Sequence, residues 1–432
     1  MNPVVSSVEL FARVERYLAE RLAATKNRLR VETVPLTNLA GRVLAREIRS
    51  GVELPRFRRA MMDGIAINFQ HWTEGNRRWS VGDGQNAMEG RRTPLATFVN
   101  TGSRVPETMD TVVPRECIVT VNPANPWGDG LLIDIVDNAT IQAEQHVAQV
   151  GEDVKIGQRL LAQDRVVRSQ DLGLLSACGI GHAEVYCRPR VAVGLTGDEL
   201  VMPGGTLSGD QIHDANGPVL VSLIHRDEAE LIAVEYLGDE VDALRRFVSR
   251  QDADVLILCG GTSVGSKDFA AETMRSVGTL AFHGLPLRPG RPVGIGGTAV
   301  ATVFLLPGNP IACQFTFDLL VGPLLRGLAG KSTDWPYVQE TVQVSERVAS
   351  ELGRLDYLRI VRAETAPCLN PVRICRKGES VVNRSPTLVR PLTSGRASNL
   401  TSVSEADGFV LIHVESEQLT PNDRVTCYWY DN

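Results

Sequence analysis

Five short stretches hold the residue types that handle anions and hard cations. They are Thr196-Gly197-Asp198-Glu199, Gly238-Asp239, the run from Cys259 to Asp268 (CGGTSVGSKD), Pro286 to Pro292 (PLRPGRP), and Pro307-Gly308-Asn309-Pro310. The third contains Gly260, Gly261, Ser263 and Gly265 and closes on Asp268. Glycine turns and helix starts leave backbone N–H groups free to receive phosphate oxygens. Asn309 opens such a helix start. Asp239 and Asp268 are hard oxygen donors of the kind Mg²⁺ shares with substrate phosphates. The guanidinium groups of Arg288 and Arg291 suit tetrahedral oxyanions. Any one of these stretches reads equally well as an ordinary turn rich in Gly, Asp or Asn. Turn formation explains the glycines and prolines, but it does not require carboxylates and arginines to gather beside them.

What gathers them is the pattern in between. Apolar strands read at 190–195, 230–237, 255–259, 279–285 and 300–306, with helical patterns at 214–226, 240–251, 269–277 and 310–328. Alternating strands and helices of these lengths imply a mostly parallel sheet with helices on both faces. Ligands of such sheets bind outside the carboxyl ends of the strands. All five stretches follow a strand, so they share one rim. The rim carries no G-x-G-x-x-G, no G-x-x-x-x-G-K-[ST] and no G-x-S-x-G. Dinucleotide, P-loop and serine-hydrolase chemistry are therefore disfavoured.

The rest of the chain frames this α/β region. Ser6-x-x-Glu9 forms a capping box ahead of an amphipathic helix over 7–24, assigned with 1–28 and 188–330 to the α/β domain. Segments 29–50 and 146–187 have mixed character: a strand from Val31 to Leu36, a short helix starting at Gly41, and a helix from Ser169 to Gly179. Between them, 51–145 alternates short apolar runs with Gly, Pro, Asn and Asp clusters, as an inserted small β domain does. Two of its loops, RRAMMDG (58–64) and NTGSRVP (100–106), set a hydrogen-bonding side chain beside a glycine. Residues 331–432 contain five strand-like runs, TVQVSERV, LDYLRIVRAE, PVRICRK, FVLIHVES and RVTCYWYD, and read as a small β-barrel or sandwich.

Composition excludes several classes. A net charge of −6 argues against a general nucleic-acid binder, which presents a basic face. No segment reads as the roughly 18 apolar residues that span a membrane, and the N-terminus lacks a signal-peptide pattern. These point to the cytoplasm. The eight cysteines include no C-x-x-C and read as reduced and structural, and His213, near the rim, as a packing or surface residue.

Taken in order, MMDGIA, NTGSRVPETMDTVV, GED, RPRVAVGLTGDEL, CGGTSVGSKD, RPGRP, LPGNP, GRLDYLR and SNLTSVSEADG are similar to the MoeA family of molybdopterin molybdenumtransferases, related to the gephyrin E domain. The resemblance runs from about residue 7 to 430. It implies a four-part protomer with a MogA/MoaB-like central sheet, and a homodimer whose cleft lies between the α/β domain of one protomer and the β-domain loops of the other. It implies Mg²⁺-dependent transfer of molybdate to adenylylated molybdopterin with release of AMP, the substrate coming from a MogA-like adenylyltransferase. By motif, its catalytic residues fall on Asp63, Thr101, Asp153 and Glu199, and its Mg²⁺ ligands on Asp239 and Asp268. Substrate positions fall on Gly260, Gly261, Ser263, Gly265, Arg288, Arg291, Asn309, Arg354 and Ser398.

The chain departs from the family pattern in places. Arg288-Pro-Gly-Arg291-Pro stands where lysines are usual, Ile65 where a tyrosine follows MDG, Cys259 and Thr262 where smaller residues flank the glycine pair, and Lys267 just before Asp268. Two other readings stay open: a MogA-like molybdopterin adenylyltransferase, and a pterin-binding scaffold without turnover.

Overall fold

The computed structural model describes residues 6–26, 30–82, 93–121, 131–238, 240–261, 269–363, 387–392 and 400–430. They fall into two compact units, 31–185 and the remainder (1–30 with 186–432).

The larger unit is built on a six-stranded sheet. Its order is Glu230–Tyr236, Arg190–Leu195, Val255–Cys259, Thr302–Leu306, Gly294–Gly297 and Thr279–His283. The first four strands run parallel. Successive side chains point to opposite faces. Val255, Ile257 and Cys259 accordingly enter one core with Val191 and Phe304, while Leu256 and Leu258 enter a second with Leu244 and Met274. The strand Gly294–Gly297 is absent from the sequence reading because glycine weakens a strand. Here the glycines permit close approach: a Cβ on Gly296 would stand 2.2 Å from Thr279 O. This strand is antiparallel to both neighbours. Thr279–His283 therefore runs with the parallel set, and its carboxyl end reaches the same rim.

Ser6 Oγ accepts the Glu9 N–H (3.2 Å) and caps the helix Ser7–Lys26. The helix lies on the α/β sheet edge: Arg21 donates to Ala301 O (2.6 Å) and Thr302 Oγ1 (3.1 Å), and Tyr17 meets Phe282 edge-on. The helical run 310–328 contains a wide π-turn, Phe317–Val321, between Pro310–Thr316 and Gly322–Leu328. Pro323 has no N–H to bond Leu319, which accounts for the break in the i→i−4 ladder. This run, read as a helix in the sequence, is long and apolar enough to cross a bilayer, contrary to the reading that no segment is, but 83% of it is buried in the protein core.

The C-terminal strands close on themselves. Leu355–Arg362, Leu388–Pro391, Val338–Val344, Arg424–Trp429 and Gly408–Ile412 pair in turn, and the last returns to the first. The result is a five-stranded barrel. Leu388–Pro391 was not foreseen, being short and ended by proline; the expected strand at 371–377 lies outside the described residues.

The barrel is seated on the α/β region by an aromatic cluster. Tyr357 stacks on Phe315 at 4.6 Å, and Phe409 sits among Tyr357, Trp335, Tyr337 and Tyr428 at 4.8–5.4 Å. Beside it, Arg226 donates to Asp227 (2.8 Å), Asp318 (2.7 Å) and Tyr337 Oη (2.7 Å), and Arg326 to Asp227 (2.8 Å). Two arginines and two aspartates balance. Finally, Leu287–Arg288, from the rim, pairs parallel with Leu355–Asp356 of the barrel.

The smaller unit has a six-stranded sheet of order Thr111–Pro114, Gly64–Ile67, Leu95–Val99, Arg78–Val81, Leu132–Ile135, Ile118–Thr120. Ile65, Trp79 and Ile133 pack on one face, and Ala66, Val99 and Val112 on the other. A further core of Leu39, Leu44, Leu161, Val167, Leu175 and Val185 joins segments 31–49 and 159–185. No helix begins at Gly41. A 3-10 turn, Leu36–Asn38, precedes it; Gly41 turns the chain at φ +80°, and Val43 and Leu44 then bridge Val166 and Val185.

Candidate functional site

The rim is assembled from strand ends that touch. Thr196 N donates to Cys259 O (3.0 Å) and Gly260 N to Leu306 O (3.1 Å). Gly260 and Gly261 adopt φ of +97° and +60°. A Cβ on Gly260 would lie 2.5 Å from Thr196 O, and one on Gly261 2.8 Å from Thr196 Oγ1. A Cβ on Gly308 would lie 3.5 Å from Gly260 Cα. Thr196 thus leaves no room for side chains at Gly260 and Gly261, with the Gly308 turn in ordinary contact beside them, so backbone lines this part of the rim. Asn309 caps the final helix, its Oδ1 accepting Ala312 N–H (3.2 Å), with Pro310 at the first helical position. Beneath, the buried thiols of Cys259 and Cys313 lie 3.5 Å apart. That contact foremost, and then burial, hold the Cys313 thiol well above its ordinary range.

Two residues of this rim were missed in the sequence. Asn216 Nδ2 donates to Gly308 O (2.8 Å), tying the helix Asn216–Arg226 to the last turn. Asp214, buried, accepts the N–H groups of Asn216 and Gly217 (2.9 Å each) and the Tyr236 hydroxyl (3.0 Å). Desolvation first, and then Asp214, push the Tyr236 phenol up to about 12. The signal was Asp-x-Asn before a helical pattern, an Asx turn at a helix start.

Besides the buried Asp214, the described carboxylates of the rim are Asp198 and Glu199, both exposed. A Cβ on Gly238 would meet Asp198 Oδ1 at 2.7 Å, so this carboxylate lies over the turn that leads to Asp239. Glu199 folds back over Gly197. Asp239, Ser263, Gly265, Asp268 and Ser398 lie outside the described residues, as does Lys267. Among the described residues, no three His, Cys, Asp or Glu side chains gather as a metal cluster.

The arginine turn lies against the final helix, with a Cβ on Gly290 reaching 2.7 Å from Thr316 Cγ2. Arg288 and Arg354, 66 residues apart in sequence, meet on one carboxylate. Arg288 Nη2 donates to Asp356 Oδ2 and to Ala349 O (3.2 Å). Arg354 Nε donates to Asp356 Oδ1 (2.9 Å), and Ser350 Oγ to Oδ2 (2.7 Å). Arg291 is exposed.

In the smaller unit, the two glycine loops meet. Thr101 donates its N–H (2.7 Å) and its hydroxyl (2.9 Å) to Asp63 Oδ1. These two bonds, the backbone one foremost, hold the Asp63 carboxyl below its ordinary range. Gly64 is fixed by crowding: a Cβ there would stand 2.0 Å from Val113 O. Asp153 follows Gly151 on a separate turn, its N–H bonded to Leu54 O (3.0 Å) and its carboxylate exposed. A cavity of about 630 Å³ near Arg77, Arg78 and Asp134 coincides with none of these residues, and Arg78 and Asp134 are already paired at 2.8 Å.

An α/β sheet with a glycine-lined rim, an arginine turn and a barrel docked beside it defines an anion-binding type of α/β protein. Residues 192–327 match the probable molybdopterin binding domain, and residues 12–179 the MoeA N-terminal region, domains I and II. The chain is 32% identical over 336 residues to the molybdopterin molybdenumtransferase of Haemophilus influenzae, covering 76% of this chain and 80% of that one. It is 28% identical to molybdopterin molybdenumtransferase 2 of Mycobacterium tuberculosis, over 73% and 78%. A solved structure of a molybdopterin biosynthesis MoeA protein from Pyrococcus horikoshii matches at TM-score 0.71 and 27% identity, covering 96% of this chain and 99% of that chain. The chain belongs to the MoeA family.

Proposed function

We infer that this protein is a molybdopterin molybdenumtransferase, an enzyme of molybdenum cofactor biosynthesis. Its relatives of that name support the reading, and the mutual contact of the Thr196, Gly260 and Gly308 turns carries it structurally. That contact lines the rim with backbone that phosphate oxygens can approach closely.

The finer chemistry is proposed as follows. Molybdate reacts with adenylylated molybdopterin and AMP leaves. The glycine turns and the Asn309 helix start receive the phosphates. Arg288, Arg291 and Arg354 face the molybdate oxyanion. Guanidinium stays charged at all working pH, so these positions act electrostatically and hold no mobile proton. Asp63, kept ionised by Thr101, is a carboxylate available to accept a proton. The described carboxylates of the adjoining stretch, Asp198 over Gly238 and Glu199 over Gly197, are oxygen donors, the chemistry Mg²⁺ takes. Asp239 and Asp268 are proposed as its ligands. Bound there, the ion would offset phosphate charge. A homodimer and a MogA-like donor enzyme complete the proposal.

The test mixes purified protein with adenylylated molybdopterin, molybdate and Mg²⁺, and measures AMP. Release that requires both ions is expected. ATP consumption with free molybdopterin would instead mark an adenylyltransferase, and tight pterin binding without AMP release a scaffold. Light scattering should give twice the 47.0 kDa chain mass.

A further inference from the structure

Asp356 is a buried carboxylate to which the oxyanion arginines are tied. Its side chain is 3% exposed, against 48% for Arg288 and 26% for Arg354. Oδ1 takes Arg354 Nε, while Oδ2 takes Arg288 Nη2 and Ser350 Oγ. The barrel strand Leu355–Arg362 carries Asp356, and the rim carries Arg288; the parallel pairing Arg288↔Asp356 fixes their register. Arg288 thus spends Nη2 on this anion and on Ala349 O, while Arg354 spends Nε on it and Nη1 on Glu351. Among the described residues, Arg288 Nε and Nη1 and Arg354 Nη2 have no protein acceptor. Glu351, 70% exposed, pairs directly with Arg354 Nη1, so two arginines and two carboxylates balance, and what the cluster offers an oxyanion is its unspent, directed N–H groups rather than a net charge.

We propose that Asp356 is a positioning residue for the oxyanion. It aims the outer N–H edges of Arg288 and Arg354 at molybdate and couples barrel docking to molybdate affinity. It does not touch the reacting atoms. Bidentate recognition by guanidinium depends on a fixed plane, and an arginine without its anchoring anion samples many rotamers. The sequence reading named both arginines but not this residue, and the proposal rests on the transferase reading above.

The experiment titrates molybdate calorimetrically into full-length wild type, Asp356→Asn and Ser350→Ala, at one ionic strength, with melting curves and AMP release measured in parallel. Asn keeps the shape but removes the charge and puts an N–H against a guanidinium. The expected result is a molybdate affinity about tenfold weaker or worse. The KM for molybdate should rise alike, while the KM for adenylylated molybdopterin changes by less than about twofold. A purely structural role would lower the melting temperature and raise both KM values together, which overturns the proposal. Unchanged molybdate affinity in folded Asp356→Asn overturns it too. Where that variant does not fold, Ser350→Ala decides. It retains the charge and loses one orienting bond, so a weaker affinity is expected and an unchanged one overturns the proposal. Wild type that binds molybdate but releases no AMP sinks the transferase reading, and the titration still decides Asp356. Wild type that binds no molybdate overturns the proposal itself.

Discussion

Thr101 holds Asp63 by two bonds to the same oxygen, one from its N–H and one from its hydroxyl, across 38 residues of sequence. The Arg115 N–H in turn takes the Asp63 carbonyl (3.0 Å), and Gly102 N donates to Ala60 O (2.8 Å), so both loops are pinned at their backbones. A carboxylate with N–H and O–H donors on one oxygen favours its charged form.

This arrangement predicts a pH effect. The Asp63 pKa is depressed, so the bonds to its charged form are present above the unfolded value, about 3.9, and are lost as pH falls through the lower folded value. Thr101→Val keeps the N–H bond, the larger contribution, and removes the hydroxyl. The Asp63 carboxyl should then titrate at a higher pH, part of the way back, and the acid limb of the pH–rate profile should move up with it. Carboxyl NMR titration of both proteins checks the shift. An unmoved acid limb would mean Asp63 does not carry that ionisation.

The glycine rim gives a second prediction. Gly260→Ala must place a methyl 2.5 Å from Thr196 O, at a φ of +97° that L residues rarely adopt. The turn has to move, and the backbone N–H groups that line the rim move with it. A displacement of about 1 Å at a positioning element costs about a hundredfold in rate. Single-turnover AMP release should fall by that order, while the sheet, held by Val255–Cys259 and its neighbours, keeps its circular dichroism.

How far all this could be read from the sequence differs by element. Val255–Cys259 was legible because an unbroken apolar run bounded by glycines has few other meanings, and its strand was found within those bounds. The helix Phe269–Val277 likewise followed its apolar spacing. Gly294–Gly297 was illegible, since the same glycines that let it pack against Thr279 and Leu305 erase its alternation. Arg288 and Arg354 were picked out by type and motif. Asp356 was not, because a charged residue inside LDYLR shows its purpose only when Arg288 arrives from a distant turn. Asp214 was hidden for a related reason. Its bond to Gly217 is a local turn, but its bond to the Tyr236 hydroxyl depends on where the strand Glu230–Tyr236 pairs, which no local pattern reports.

The buried ion network predicts a stability effect separate from the site. Asp227 is fully buried and accepts from both Arg226 and Arg326, the latter 7% exposed. Asp227→Ala would leave Arg326 buried without its carboxylate. Removing one partner of such a pair typically costs about 3–5 kcal/mol. A urea titration should show a lower midpoint by that order. Replacing Arg226 and Arg326 together with Asp227 and Asp318 by well-packed apolar residues should recover most of the loss, since a buried pair adds little over a packed core. A mild effect of Asp227→Ala alone would show that water reaches Arg326.

Phe409 links the barrel to the α/β region, so it tests whether the oxyanion arginines depend on that docking. Its ring is wholly buried and packs against Tyr357, whose other neighbour is Phe315 on the rim helix. Tyr357 is one residue from Asp356 on the same strand. Phe409→Ala should cost about 3–5 kcal/mol through lost burial and a residual cavity. The barrel's own core, with Val342, Ile360 and Trp429, remains, so the strands should persist. What loosens is the seat of Leu355–Asp356 against Leu287–Arg288. Molybdate affinity is therefore expected to weaken in Phe409→Ala at temperatures well below its melting point, and Phe409→Leu, which refills much of the space, should restore it. Full affinity in folded Phe409→Ala would show that the strand pairing alone fixes the arginines, without the aromatic seat.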